Sequence, residues 1–525
     1  MANKAITSRD VDFAKWYTDV VTAAKLASYS NVKGCVIFEP NGWAIWERIQ
    51  QEMDKMFKKT GHRNVAMPML IPESLINKEG ELIEGFAPEV AWVTEGGQKK
   101  LEEMDKMFKK TGHRNVAMPM LIPESLINKE GELIEGFAPE VAWVTEGGQK
   151  KLEERLCIRP TSESLFSDYY SSVVKSYRDL PMKYNQWCSV MRWEKETRPF
   201  LRSREFFWQE GHTVHATKEE AEEETIGMLN VYKTFFEDYL AVPVVAGLKT
   251  EKEKFAGAEY TYTIEALMHN GIALQSGTSH YFGQKFAKAY DVKFLNKNNE
   301  LEYCYQTSWG VSNRMIGALI MVHGDDNGLV LPPKIAPKQV AIIPIGDSEN
   351  VNGTVEKIYN DLEKAGISVY VDNTDKSPGL KFAEAEVNGI PVRIEVGKRD
   401  LENNNITVAR RDTSEKMVIS KDSDIVNYVT ELMTDIQNNL FNKAKKHLES
   451  LTFEATTKEE VEKIMNEHPG FVKADWCGEL ECELKMKEIK GTKSRCILEH
   501  EKPLTGKCVM CGKEAKHLVV WGIQY

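Results

Sequence analysis

Apolar residues first recur at helical spacing over Asp10–Leu26, where Val11, Ala14, Tyr17, Val21 and Leu26 share one broad face. Cys35–Phe38 then predicts a short strand and Pro40-Asn41-Gly42 a turn. Trp43–Lys59 is an amphipathic helix with Trp46, Ile49, Met53, Met56 and Phe57 on one stripe. Val65–Ile71 and Leu156–Arg159 read as strands. The second leads into Pro160-Thr161-Ser162-Glu163, a helix start with a hydroxyl residue in the capping position, and into helix over Leu165–Tyr177. Two aromatic-rich runs, Asn185–Trp193 and Glu205–His212, flank a charged loop and predict a hairpin. A Glu-rich helix follows over Lys218–Tyr239, then strands at Val242–Val245, Tyr260–Met268, Gly271–Ser276 and Glu302–Ser308. Val311–His323 is apolar nearly all round and predicts a buried helix. Strands following one another with few helices between them imply a largely antiparallel sheet.

The pattern changes at Leu331-Pro332-Pro333 to Pro337, a rigid linker. Beyond it strands (Gln339–Ile345, Ser368–Asp372, Val392–Val396, Thr407–Arg411) alternate with helices (Val351–Ala365, Leu380–Asn388, Asp422–Lys446), which predicts a small α/β domain. The expected fold class is α+β and multidomain: a core over 1–333, a second domain over 337–447 and a third over 450–525.

One feature cuts across this plan. Glu52–Glu102 is repeated without a change as Glu103–Glu153. Old structural repeats drift and solenoids need about three units, so two identical copies mean a recent in-frame duplication or an error in the assembled gene sequence. One fold slot cannot take both copies, and the surplus must loop out or pack as an extra lobe. The helix Trp43–Lys59 runs unbroken into the first copy, which favours that copy for the helix and first strand.

Composition narrows the function classes. A chain of 525 residues holds three or four domains. A net charge of −11 excludes a general nucleic-acid coat, so any polyanion must meet a local basic patch. The first thirty residues lack an apolar signal core and no run is long enough to span a membrane, which points to a cytosolic protein. Five of the nine cysteines follow Trp476, a clustering that suits a metal better than a disulfide framework.

The candidate chemistry centres on the hairpin. Arg192, Arg198, Arg202 and Arg204 place four guanidinium groups there, beside Phe206, Phe207 and Trp208. Forked cations with an aromatic shelf suit a nucleotide; the plainer alternative is a solvated hairpin with scattered salt bridges. Thr161 and Glu163 stand at the helix start after a proline, or form an ordinary cap. Gln275–His280 (QSGTSH) reads as a small polar loop after an apolar strand. Arg314 sits in an otherwise apolar helix and calls for an anion. Cys477 and Cys482, then Cys508 and Cys511, have the spacing of two zinc knuckles; Cys496 lacks a near partner.

These stretches carry a resemblance. RPTSE (Arg159–Glu163), RWE and RPFLRSREFFWQEGH within Arg192–His212, LQSGTSHYFGQKF (Leu274–Phe286) and QTSWGVSNRMIGALIMVHGDDNGLVLPP (Gln306–Pro333) are similar to the prolyl-tRNA synthetases, class II aminoacyl-tRNA synthetases, of the archaeal/eukaryotic-like type. The resemblance runs from Asp10 to Tyr525 minus one copy of the repeat. It implies an antiparallel-sheet catalytic domain, an α/β anticodon-binding domain, a zinc-containing tail, and a homodimer joined near the motif 1 proline, here Pro68 or its twin Pro119.

Carried over, it implies that Arg192 bridges the proline carboxylate and the ATP α-phosphate, with Arg314 at the γ-phosphate end. Glu194 and Arg202 hold the nucleotide, Phe206 stacks on adenine, and Gln275, Thr278 and Ser312 complete the ATP pocket. Thr161, Glu163, Trp208 and His280 shape the L-proline pocket. Lys381, Arg393, Arg410 and Arg411 belong to a basic strip that reads the tRNA(Pro) anticodon, unless they form a solvated face. Cys477, Cys482, Cys508 and Cys511 match structural Zn2+ ligands. ATP and Mg2+ are the implied cofactors of the reaction, and no membrane is implied. Arg204 to Gln275 is too short a stretch for the editing insertion of the bacterial-type enzymes. The alternatives are a non-catalytic tRNA- or amino-acid-binding relative of the fold, which loss of either clamping arginine would favour, and a sister synthetase for threonine, serine or glycine.

Overall fold

The computed structural model describes residues 6–72, 85–86, 89–90, 121–123, 136–137, 140–147 and 150–525, with side chains of the repeat described only as far as Ile71 and from Leu156 onward. Helix α1 (Phe13–Ala23) opens on Asp12, whose side chain accepts the Lys15 amide. A short hairpin follows, β1 (Ala27–Tyr29) against β2 (Val36–Phe38). Helix α2 (Pro40–Lys59) absorbs the predicted turn: Pro40 lies at its first position, where a missing N–H costs nothing. Trp46, Ile49, Met53 and Phe57 are fully buried beneath the main sheet.

Strand β3 (Arg63–Asn64) precedes the predicted Val65–Ile71 strand, of which only the end is extended, in β4 (Leu70–Pro72). Strand β4 pairs with β6 (Lys150–Ile158), and β6 with β5 (Glu140–Gly147). The slot is therefore shared. The first copy supplies the end of α2, β3 and β4, and the second supplies the β5–β6 hairpin. Equivalent residues of the two copies also pair, Gly85 with Gly136 and Glu89 with Glu140.

Helix α3 (Glu163–Val173) leads to the long hairpin of β7 (Met182–Met191) and β8 (Glu205–His215), antiparallel with Cys188 opposite Trp208. Helix α4 (Lys218–Thr234) lies across the sheet. Next come β9 (Val245–Leu248), β10 (Tyr260–Leu267), β11 (Ala273–Gly283), β12 (Tyr305–Ser312) and helix α5 (Arg314–His323). Val311 and Ser312 thus end a strand rather than begin the helix. The predicted polar loop Gln275–His280 is the middle of β11: Gln275 faces Glu265, Thr278 faces Thr263 and His280 faces Thr261, with an irregularity at Gly277. Its outward positions are polar because they line a cavity, not because they face bulk water.

After the linker, a five-stranded sheet of β13 (Val340–Ile345), β14 (Val369–Val371), β15 (Val392–Gly397), β16 (Asn405–Arg410) and β17 (Lys416–Ser420) packs against α6 (Glu349–Lys364) and α8 (Ile425–Ser450), with α7 (Pro378–Val387) on its other face. The first three strands are parallel. The C-terminal stretch adds β18 (Thr452–Ala455), β19 (Phe471–Trp476), β20 (Lys493–Ile497) and β21 (His517–Gly522). These do not form a separate layer. Strand β20 pairs with β9 through Ile497 and Leu248, giving one 11-stranded sheet in the order β18-β19-β21-β20-β9-β10-β11-β12-β8-β7-β3 among the described residues.

Candidate active site

One face of the main sheet is polar and forms the floor of a cavity of about 310 Å3. Alternation along each strand places Trp208, Glu210 and His212 of β8, Gln275, Thr278 and His280 of β11, and Ser308, Gly310 and Ser312 of β12 on this face. Arg192 enters from the end of the hairpin and Arg314 from the start of α5. Thr161 and Glu163 close the side opposite.

Among the described residues the two arginines have no acid partner. Arg192 donates through Nε to the Pro160 carbonyl (3.2 Å) and lies over the rings of Phe206 and Trp208. Arg314 donates to the Leu201 carbonyl (3.1 Å) and the Gln275 carbonyl (3.4 Å). Among the described residues neither has a carboxylate within salt-bridge distance. Burial pulls the Arg314 guanidinium down to about 10, and Arg202 and Arg192 push it the same way. Burial likewise lowers Arg192. Both remain charged at neutral pH, so the site holds uncompensated positive charge that an anion would relieve.

Glu163 is the complementary group. It is 5% exposed, and its two oxygens accept the Thr161 and Ser308 hydroxyls (3.2 Å for Ser308). Hydroxyls do not neutralise a carboxylate, so this buried anion suits an ammonium. The turn that carries it is tied to Glu210, which accepts from the Thr161 hydroxyl (3.4 Å), the Ser162 hydroxyl (2.5 Å), the Ser162 amide (3.2 Å), Gln186 and His212 (2.9 Å). Burial alone would raise Glu210, but the His212 and Ser162 bonds outweigh it and hold it low. Ser162 is thus the helix cap in position only; its hydroxyl serves Glu210 instead of the helix amides. His280 shares a proton with Thr261 (2.9 Å), and burial beside His212 drives it down to about 3, so it is neutral.

Thr161, Glu163, Arg192, Phe206, Trp208, Gln275, Thr278, His280, Ser312 and Arg314 all line this cavity. Glu194 and Arg202 do not. They sit on the hairpin loop 3.8 Å from each other, near enough to Arg314 to affect its charge. Sequence reasoning missed Glu210 and His212, which the alternation along β8 could have found. It also missed Phe255, 4.6 Å from the His280 ring, and the buried triad of Lys249, Glu265 and Arg495. Lys249 pairs with Glu265 at 2.7 Å, and Arg495 approaches the other oxygen of Glu265 at 3.6 Å.

Three cations of the basic strip have acid partners in the fold. Arg393 is held by Glu386 and Glu395, Arg410 by Asp412 and Asp435, and Arg411 forks onto Asp325 of the core. These three are structural ion pairs instead of a solvated cationic face. Lys381 differs: it is buried, and its ammonium meets only the Asp372 carbonyl (2.9 Å) at the edge of a second cavity of about 150 Å3. In the C-terminal stretch the sulfurs of Cys477, Cys482, Cys508 and Cys511 lie within 4.8 Å of one another. Pro68 is buried, and Pro119 lies outside the described residues. No helix among the described residues is long and apolar enough to cross a membrane.

Comparison with known proteins gives three family matches: tRNA synthetase class II core domain (G, H, P, S and T) over residues 143–323, anticodon binding domain over 339–432, and prolyl-tRNA synthetase, C-terminal, over 458–525. The chain is 51% identical over 523 residues to a proline–tRNA ligase of Clostridium novyi (strain NT), covering 99% of this chain and 98% of that protein. It is 53% identical, with the same coverage, to one of Lachnoclostridium phytofermentans. The crystal structure of prolyl-tRNA synthetase from Cryptosporidium parvum complexed with halofuginone and AMPPNP superposes with a TM-score of 0.85 at 35% identity, over 100% of this chain and 98% of that one.

Proposed function

The chain belongs to the proline–tRNA ligases, class II synthetases that join L-proline to tRNA at the expense of ATP, and we propose that the cavity on the main sheet does this work with the following division of labour. Arg192 bridges the proline carboxylate and the α-phosphate of ATP. Arg314 holds the far end of the triphosphate, with Gln275, Thr278 and Ser312 along its length, Phe206 against the adenine, and Glu194 and Arg202 at the rim. Glu163 takes the secondary ammonium of proline, while Thr161, Trp208 and neutral His280 enclose the ring. One observation carries this reading: two arginines with no carboxylate in salt-bridge distance among the described residues share a single cavity with the buried carboxyl group of Glu163.

The chemistry follows from alignment. The attacking carboxylate is already ionised at neutral pH, so no general base is required. The reaction needs the two anions held in line and the charge on the phosphate oxygens balanced, which the arginines provide. The magnesium ion that this class uses with ATP adds charge neutralisation of the phosphates when bound. Neutral His280 does not compete with the ammonium for Glu163. Attack on the α-phosphorus breaks its bond to the β-phosphate and releases pyrophosphate, leaving prolyl-adenylate; the terminal ribose hydroxyl of tRNA(Pro) then attacks the prolyl carbonyl, loses its proton, and AMP leaves.

The chain divides into a catalytic core over 1–333, an anticodon-binding domain over 337–447 and a C-terminal unit over 450–525. Of the anticodon candidates, Lys381 is favoured, because its ammonium opens onto a cavity also lined by Tyr370, Asp372 and Glu384. The four cysteines fit Zn2+. Tetrahedral ligation at about 2.3 Å sets the sulfurs roughly 3.8 Å apart, and Cys477 and Cys511 lie 3.7 Å apart. Two protomers meet near Pro68, in the cytoplasm. No observation favours a non-catalytic binding protein, since both clamping arginines are in place. Proline-dependent ATP–pyrophosphate exchange tests the reading. Exchange with proline and not with alanine, threonine or glycine is expected, and exchange without proline preference overturns it.

A further inference from the structure

The β1–β2 hairpin takes no part in the cavity, yet it is built onto the cavity's rim. The Arg204 amide donates to the Gly34 carbonyl (2.9 Å), and its guanidinium donates to the Lys33 carbonyl (3.1 Å). The Arg204 carbonyl in turn accepts the Arg192 amide (2.8 Å), so one residue separates the hairpin tip from the arginine that enters the cavity. The fit is close: a Cβ at Gly34 would come within 2.7 Å of the Arg204 side chain, and Gly34 itself holds φ +86°. Behind the tip, Phe38 packs edge-on against Phe200 and Phe207, which fixes the hairpin to the core.

What the tip presents is unusual for a solvated turn. Tyr29 is 67% exposed and Val32 63% exposed, with Lys33 exposed between Val32 and Gly34. Arg204 stacks on Trp193 at 3.8 Å, and Trp193 is 40% exposed. Among the described residues Arg204 and Lys33 have no carboxylate partner. Flat rings and a stacked guanidinium suit unpaired bases, and unpaired cations suit the phosphates between them. The protein as a whole carries −11, so this local positive, aromatic rim stands out for a polyanion.

We propose that the β1–β2 hairpin is a docking platform for the single-stranded 3′ end of tRNA, with Lys33 taking a backbone phosphate and Tyr29 and Val32 giving apolar contact to unstacked bases. The proposal rests on the ligase reading above, which requires the terminal ribose to arrive at Arg192. The hairpin guides the strand over the rim and leaves proline activation alone.

The full-length protein separates the two. ATP–pyrophosphate exchange without tRNA reads the cavity, and charging of tRNA(Pro) transcript reads the platform. Lys33→Glu and Tyr29→Ser each leave exchange within twofold and raise KM for tRNA about tenfold, while Lys33→Arg restores it. The salt dependence of tRNA binding loses about 0.7 in log–log slope for Lys33→Glu, the value for one single-strand phosphate contact. An unchanged tRNA KM in both variants overturns the proposal. So does an equal loss of exchange, or a changed sedimentation coefficient, which would assign the hairpin to the catalytic fold or to a second copy. Absence of proline-dependent exchange in the unaltered protein would instead overturn the ligase reading.

Discussion

The guanidinium of Arg192 lies over the ring of Trp208, 5.3 Å from its centre, and finds no carboxylate among the described residues. An aromatic face steadies a cation without neutralising it, so the charge stays available for the reaction. Arg192→Ala should therefore lower proline-dependent exchange by about three orders of magnitude, roughly 4 kcal/mol of barrier. Arg192→Lys should recover little, because a point charge cannot bridge two anions as a fork does. Initial-rate exchange assays check both.

Among the described residues Glu163 accepts hydrogen bonds from the Thr161 and Ser308 hydroxyls, with Glu210 and His212 within 4.8 Å, so it is expected to answer to the amino acid and not to the nucleotide. Glu163→Gln should raise KM for proline by about ten- to hundredfold, in keeping with about 1.5–3 kcal/mol for a charged hydrogen bond, with KM for ATP within twofold. A parallel rise in both would assign Glu163 to the scaffold of the Thr161–Glu163 turn.

The four-cysteine cluster should contain one zinc per chain by elemental analysis. Cys511→Ala should release it and lower the thermal midpoint. Because β20 continues the sheet through β9, some loss of exchange is expected as well. Complete independence of exchange from metal content would contradict that coupling.

Acid should destabilise the protein before its carboxylates titrate. Burial pushes His215 and His323 down to about 4 and His280 down to about 3. The unfolded chain binds these protons near pH 6.5. Between about 6.5 and 4 the unfolded state thus holds more protons than the folded one. Stability is full above that window and falls as pH drops through it, by up to about 1.4 kcal/mol per pH unit per histidine. Unfolding free energies from urea titrations at pH 7.5 and 5.0 should differ by several kcal/mol, with the lower midpoint at pH 5.0; equal midpoints would mean the imidazoles reach solvent.

Removing one copy of the repeat should leave exchange intact and stability unchanged or improved. The copies are identical, so deleting 52–102 or 103–153 yields the same protein. That protein keeps α2, β3 and β4 joined to the β5–β6 hairpin, and loses one of the two equivalent strands, Leu70–Pro72 and Leu121–Pro123, that pair with each other. Lost exchange in the shortened chain, measured beside the full one, would show that the second copy has acquired a role.

The hairpin and its arginines were legible because aromatic residues alternate along both strands and the loop between them is charged. The four cysteines were legible from spacing. Gln275–His280 was not, since a strand whose outward face lines a cavity loses the apolar alternation by which strands are recognised. For Arg393, Arg410 and Arg411 the sequence shows the cations but not their acid partners, since Glu395, Asp435 and Asp325 become neighbours only on folding. Lys249, Glu265 and Arg495 are the extreme case, one buried charge cluster assembled from the middle and the last part of the chain. Which copy fills the repeated slot was half legible: the unbroken helix pointed to the first copy and the unbroken run into Arg155–Pro160 to the second, and nothing local showed that the slot is shared.

The pairing of Leu248 with Ile497 has a consequence for the growing chain. Strand β9 emerges from the ribosome long before β20, its only neighbour on that side. Until translation ends, the core therefore carries an open hydrogen-bonding rim of the kind that recruits stray strands. Arg495, arriving with the same strand, is also the last charge delivered to Glu265. Newly made molecules should depend on chaperones through this interval, and nonsense truncations late in the gene should appear as aggregates rather than as tail-less enzymes.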